Sequence, residues 1–215
     1  MRNLLPLFID LTGREVLLVG GGRVAAGKLH QLLAAGATVR VVSPLVVAEI
    51  AATPGVEIVR RTFQPADLDG MWLVVAAATS DVNGQVAAAA EVRRVFVNAV
   101  DDPPNATAYL SGVVRRDDVT IAISTSGDAP ALTALIREAL DAVLPNDLAD
   151  WVRTAREQRR TWRRDGVPMD ARKPLLLNAL NALYEVRNPD VTRGFSRATE
   201  CQGIPWLSAP EDSWL

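Results

Sequence analysis

A five-residue run, Glu15-Val16-Leu17-Leu18-Val19, passes directly into Gly20-Gly21-Gly22-Arg23-Val24-Ala25, and a helical pattern follows to about Ala35 before Gly36. No other stretch of the chain restricts the fold so strongly. A strand that ends in G-x-G-x-x-A and opens a helix is the fingerprint of a dinucleotide-binding βαβ unit. Gly20 permits the tight turn, Gly22 lets the backbone approach a pyrophosphate, and Ala25 lets the helix pack closely on the strand. The anion then faces the free N–H groups at the helix N-terminus.

The remaining segments extend this unit. Thr38 to Val42 and Val56 to Arg60 read as further strands, and Trp72 to Ala77 is apolar throughout, as expected for a strand covered on both faces. Asp81 to Val92 reads as a helix and Val95 to Ala99 as the next strand. Strands that alternate with helices indicate an α/β fold with a parallel, Rossmann-type sheet. Asp101-Asp102-Pro103-Pro104 breaks the pattern, because proline cannot donate to a central ladder. Beyond it, Tyr109 to Val114 and Val119 to Ser124 are expected to be two strands joined by Arg115-Arg116-Asp117-Asp118. Helices are expected from Pro130 to about Leu144, from Asn146 to Arg164 and from Pro174 to Val186. The expected division is a Rossmann domain over 1–112, a small region with strands over 113–146, and a helical region with a tail over 147–215.

The end of the second strand carries Ser43-Pro44-Leu45 where an acidic residue would favour NAD by bonding the ribose hydroxyls, and Arg40 lies just before it. Local chemistry therefore leaves NAD and NADP both open. Ser43 fits a ribose hydrogen bond and a plain strand-ending turn equally well.

Composition narrows the function classes. A net charge of −2 gives no global attraction to nucleic acid or an anionic membrane. One cysteine, Cys201, and one histidine, His30, argue against a disulfide, a multi-ligand metal site or a Ser-His-Asp triad. No apolar run approaches the roughly 20 residues of a membrane span, and Leu4 to Ile9 is too short for a signal peptide. A cytoplasmic protein is expected, without a membrane or nucleic-acid partner.

Asp101 follows the fifth strand, at the sheet edge where ligands bind in such folds, so a carboxylate there can act as a base. The same residue suits a turn that bonds its own backbone, and Asp102 competes for the role. Arg115, Arg116, Arg137 and the arginines between Arg153 and Arg164 are candidate anion partners, or simply solvated faces. The stripe Leu132, Leu135, Ile136 and Leu140 reads as core or as a dimer interface.

Taken in order, several segments resemble the precorrin-2 dehydrogenase family, which includes the N-terminal module of bacterial siroheme synthase. They are Leu5-Pro6-Leu7-Phe8, Leu11-Thr12-Gly13-Arg14, the glycine loop with Lys28, Ala77-Ala78-Thr79-Ser80-Asp81 with Asn83, Val97-Asn98-Ala99-Val100-Asp101, Thr120 to Gly127, Ala129 to Leu132 and Leu144-Pro145. The resemblance covers about the first two thirds of the chain. It implies a homodimer, with 113–146 as its dimerisation region, that uses NAD to oxidise precorrin-2, a reduced tetrapyrrole, to sirohydrochlorin. It ties Asp101 to catalysis and, in some relatives, to iron insertion. It sets Ser124 and Thr125 in the substrate region and cofactor contacts at Arg23, Val24, Pro44 and Leu45, beside the Gly20, Gly22 and Ser43 read from the residues themselves. The chain departs from the family at Gly27, Ala108, Ser111 and Arg115, and no methyltransferase domain is expected. The competing reading is a non-catalytic NAD-binding regulatory module, which would keep the glycine loop and need no base at position 101.

Overall fold

The computed structural model describes residues 4–110 and 112–187. They fall into two compact units, the first holding the described residues up to Val114 together with 121–143 and the second 115–120 together with 144–187. The tail beyond Pro189, with Trp206, Trp214 and Cys201, lies outside the described residues.

The first unit is built on a five-stranded sheet of order β3-β2-β1-β4-β5. Its strands are β1 (Glu15–Val19), β2 (Thr38–Val42), β3 (Glu57–Val59), β4 (Leu73–Ala76) and β5 (Phe96–Ala99). Every pairing is parallel, with Val16 opposite Val39 on one side and Leu73 on the other. The fold is thus the expected Rossmann-type α/β sheet. Helix α1 (Arg23–Ala34) links β1 to β2, the short α2 (Ala48–Ala51) follows β2, and α3 (Ser80–Arg93) links β4 to β5.

Strand periodicity divides the core in two. Val16, Leu18, Val39, Val41 and Val75 pack with Ala25, Ala26 and Leu29 of α1. Leu17, Val19, Val74, Val97 and Ala99 pack with Val86 and Ala90 of α3. Successive side chains leave opposite faces of a strand, so right-handed crossovers place α1 and α3 on opposite sides of the sheet. The continuous apolar run of β4 follows from this, since both its faces are covered.

After β5 a 3₁₀ turn (Pro103–Asn105) leads back along the sheet. The N–H groups of Thr107 and Ala108 both donate to the Val97 carbonyl, and Asn98 Nδ2 donates to Ala108 O at 3.0 Å. This corrects the expected strand from Tyr109. Residues 107–108 bond to the edge of β5, so β6 starts at Gly112 and runs to Arg116. It pairs with β7 (Val119–Ile123) across a turn reduced to Asp117-Asp118, where Asp117 has φ +51°. Helix α4 (Pro130–Val143) follows and buries none of its residues within the chain.

In the second unit the helices are α5 (Leu148–Arg164) and α6 (Met169–Arg187). Leu148 and Trp162 are buried, and Trp151 Nε1 donates to the Tyr184 hydroxyl at 2.7 Å with the rings edge to face. The expected starts at Asn146 and Pro174 are both corrected. α5 begins two residues later, and α6 begins five residues earlier with Pro174 inside it. Proline is most at home in a first helical position, but α6 carries it farther in despite the lost backbone bond and the crowding of the carbonyl four residues back, so it does not mark this start.

Candidate active site at the carboxyl edge of the sheet

The strand order reverses between β1 and β4, and in open α/β sheets ligands bind beyond the carboxyl ends of the strands at such a switch point. Gly20, at φ +124°, passes so close to β4 that a Cβ would lie 2.3 Å from the Ala77 carbonyl oxygen. Gly21 is packed more tightly. A Cβ there would meet Leu45 O at 1.9 Å and Ser43 Oγ at 2.8 Å. Val47 N–H donates to Gly21 O at 2.8 Å, which joins the glycine loop to the loop after β2. Nothing in the local sequence assigns a role to Gly21, because the contact that demands glycine comes from the distant Leu45.

Gly22 is the N-cap of α1, and nothing stands within 4 Å of its would-be Cβ. No side chain caps the helix, its first turn has no acidic residue, and the first intrahelical bond runs from Ala26 N–H to Gly22 O. The N–H groups of Arg23, Val24 and Ala25 therefore have no capping or backbone partner among the described residues, and the positive end of the helix dipole lies at them. A close backbone cradle, open room and unspent donors fit a dinucleotide pyrophosphate. Exposed Val24 and Leu45 offer apolar surface beside it. Ser43 is buried and its hydroxyl donates to Leu45 O at 2.7 Å, so in this structure it holds the turn. Pro44 is exposed at the tip of that loop. Arg40 is paired with Glu57 at 2.7 Å.

The end of β5 sends two adjacent carboxylates in different directions. Asp101 sits at φ +55°, a left-handed conformation that aspartate tolerates better than most side chains. Asp102 turns toward α3. It accepts from Asn105 Nδ2 at 3.0 Å, from Ser80 Oγ at 3.1 Å and from Asn83 Nδ2 at 3.4 Å. Those bonds, Asn105 first, hold its carboxyl below the usual carboxylate range. Asp101 is exposed and has no hydrogen-bond or ion-pair partner among the described residues, but it lies within electrostatic reach of Lys28 on α1. A non-glycine residue in such a backbone well, left unbonded, is the kind of outlier that marks a functional position.

The loop after β7 approaches the same region. Gly127, at φ +85°, would place a Cβ 3.3 Å from Pro103 and 3.4 Å from the Tyr109 ring, so this loop packs on the segment that follows Asp102. Within it Ser124 Oγ accepts from Ser126 N–H at 3.1 Å, and Thr125 Oγ1 bonds Thr133 Oγ1 at 2.9 Å. Several candidate arginines are already engaged: Arg116 donates to Leu144 O, Arg137 pairs with Glu138, Arg153 with Asp150 and Arg156 with Asp118.

Comparison with known proteins agrees with this geometry. Residues 7–112 match a family model of NAD(P)-binding domains, and residues 116–142 match the sirohaem biosynthesis protein central region. Siroheme synthase of Photorhabdus laumondii is 39% identical over 184 residues, covering 84% of this chain and 39% of that protein. Siroheme synthase of Pseudomonas entomophila is 44% identical over 147 residues, covering 66% of this chain and 32% of that protein. The chain thus spans well under half the length of these relatives. The solved structure of SirC, a precorrin-2 dehydrogenase, shares the fold with a TM-score of 0.64 at 24% identity, covering 90% of this chain and all of that one. From the two matched regions and these relatives, the chain belongs with the siroheme biosynthesis proteins, matching the NAD(P)-binding and central regions of the siroheme synthases.

Proposed function

We propose that this protein oxidises precorrin-2 to sirohydrochlorin with NAD, in siroheme biosynthesis. The observation that carries the reading is an unbonded carboxylate, Asp101, on the same sheet edge as a glycine cradle built for a dinucleotide. The oxidation removes one hydride and one proton from the macrocycle. NAD, when bound, supplies the hydride acceptor. The chain supplies everything else. The N–H groups of Arg23, Val24 and Ala25 would grip the pyrophosphate, and Gly20 to Gly22 bring the backbone close enough to do so. Asp101 takes the proton, being free of the hydrogen bonds that occupy Asp102. Ser124 and Thr125 stand in the loop that closes on Pro103 and Tyr109, which supports a place for them beside the substrate.

NAD is favoured over NADP because Arg40 is committed to Glu57 and Ser43 to its own turn. A ribose 2′-phosphate would need a free guanidinium there. Purified protein given precorrin-2 with NAD or NADP tests substrate and cofactor together. Appearance of the sirohydrochlorin spectrum with one NADH per macrocycle is expected, and no spectral change with either dinucleotide overturns the reading. The same preparation, given ferrous ion and sirohydrochlorin, tests the iron insertion that some relatives link to the aspartate.

We further propose a homodimer in the cytoplasm, where the dinucleotide pool is held. Leu132 and Leu135 of α4 are 48% and 63% exposed, which leaves an apolar face for a second copy. No helix among the described residues is long and apolar enough to cross a membrane. Leu135→Glu should convert the dimer to monomer in sedimentation, and a monomeric wild type would refute the assembly.

A further inference from the structure

Among the described residues, Asn98 Oδ1 is the one buried side-chain oxygen or nitrogen without a hydrogen-bond partner. Asn98 is 6% exposed, and its amide is fixed because Nδ2 donates to Ala108 O at 3.0 Å. An acceptor sealed without a donor is unfavourable, and native structures rarely keep one without a reason. Its neighbours on β5, Val97 and Ala99, face α3, so Asn98 faces the α1 side of the sheet.

Lys28 lies on α1, on that same side. It is half-buried and has no hydrogen-bond or ion-pair partner among the described residues. Burial pushes its ammonium below the usual lysine range, and the negative charge of Asp101 opposes that shift. An acceptor without a donor, a half-buried ammonium without an ion pair and a carboxylate without a donor therefore share one side of the sheet edge. On the α3 side, by contrast, every polar group around Asp102 is bonded.

We propose that Lys28 is a substrate-binding residue: its ammonium receives a carboxylate arm of the macrocycle beside Asp101, and Asn98 Oδ1 takes one of its three N–H groups to hold it there. This rests on the tetrapyrrole reading above, since the ligand must carry carboxylates. Lysine suits the task as a compact charge with three donors, two of which remain for the incoming anion. The arrangement also predicts its own cost. A lysine whose folded-state pKa is depressed weakens the fold at every pH below that value, and the penalty fades only as pH rises through it.

The test compares wild type with Lys28→Met and Lys28→Arg. Purified sirohydrochlorin is titrated by fluorescence, NAD by calorimetry, and KM and kcat are measured with precorrin-2. Lys28→Met should weaken sirohydrochlorin and raise KM about 10- to 100-fold, the range of a charge-assisted hydrogen bond in a half-buried site. Lys28→Arg should restore most of that loss. NAD affinity should stay the same, and the melting temperature of Lys28→Met should equal or exceed that of wild type. Unchanged sirohydrochlorin affinity and KM in Lys28→Met overturn the proposal. So does a fall in kcat alone, which would make Lys28 a partner of Asp101 instead. If wild type itself neither binds sirohydrochlorin nor oxidises precorrin-2, the functional reading fails first and the proposal falls with it.

Discussion

The two sides of the sheet beyond β5 carry similar chemistry and treat it oppositely. Toward α3, Asp102 is held by Asn105, Ser80 and Asn83, and each donor is spent. Toward α1, Asp101, Lys28 and Asn98 Oδ1 leave their bonding capacity unfilled. On the proposed function, the adjacent carboxylates divide the labour between scaffold and chemistry. Asp102, satisfied in the free protein, holds the turn, and Asp101, left unbonded, is the one proposed to meet the ligand.

Replacing the carboxylates one at a time should break this contrast if it is wrong. Asp101→Asn keeps the shape and tolerates the positive φ, so the melting temperature should hold while kcat falls about 10²- to 10⁴-fold, the usual contribution of a positioned acid or base. Full turnover in that variant would remove the role given to Asp101. Asp102→Ala should do the reverse, with a lower melting temperature and a kcat within a few-fold of wild type. A kcat loss as large as that of Asp101→Asn would merge the two sides into one catalytic unit.

An acid scan sharpens the comparison further. Asp102 has its pKa lowered, chiefly by the Asn105 hydrogen bond, and Asp67 has its pKa lowered by the Arg61 guanidinium. A depressed carboxylate stabilises the fold above its unfolded pKa of about 3.9, and that contribution is lost as pH falls through the lower folded value. Stability followed by circular dichroism should thus drop steeply below about pH 4 in wild type and less steeply in Asp102→Ala. The smallest effect is expected for Ser80→Ala, which removes one exposed bond of the network and should lower the melting temperature by a degree or two at most.

How much of this could be read from sequence depends on the distance over which a residue acts. The glycine loop, the doubly covered β4 and the placement of Asp101 at a strand end all follow from neighbouring residues, and all stand where the spacing put them. Tyr109 was misread as a strand start because the bonds of that segment go to β5, which the local pattern does not reveal. Pro174 misplaced the start of α6 because a proline is also tolerated farther inside a helix. Gly21 and the proposed role of Lys28 are the instructive cases. The need for glycine at 21 comes from Leu45, and the relevance of Lys28 comes from a strand more than 60 residues away. Both depend on tertiary contact, and neither leaves a periodic trace.

The clasp between Gly21 and the loop after β2 has a consequence for redesign. With Val47 bonded to Gly21 and the Leu45 backbone pressed against it, the segment that would select the ribose is packed directly on the segment that would grip the phosphates. Converting such a protein to the phosphorylated cofactor by introducing an arginine at position 43 or 44 would thus disturb the grip on both halves of the dinucleotide. A successful switch must redesign the stretch from Ser43 to Val47 together with the glycines it leans on.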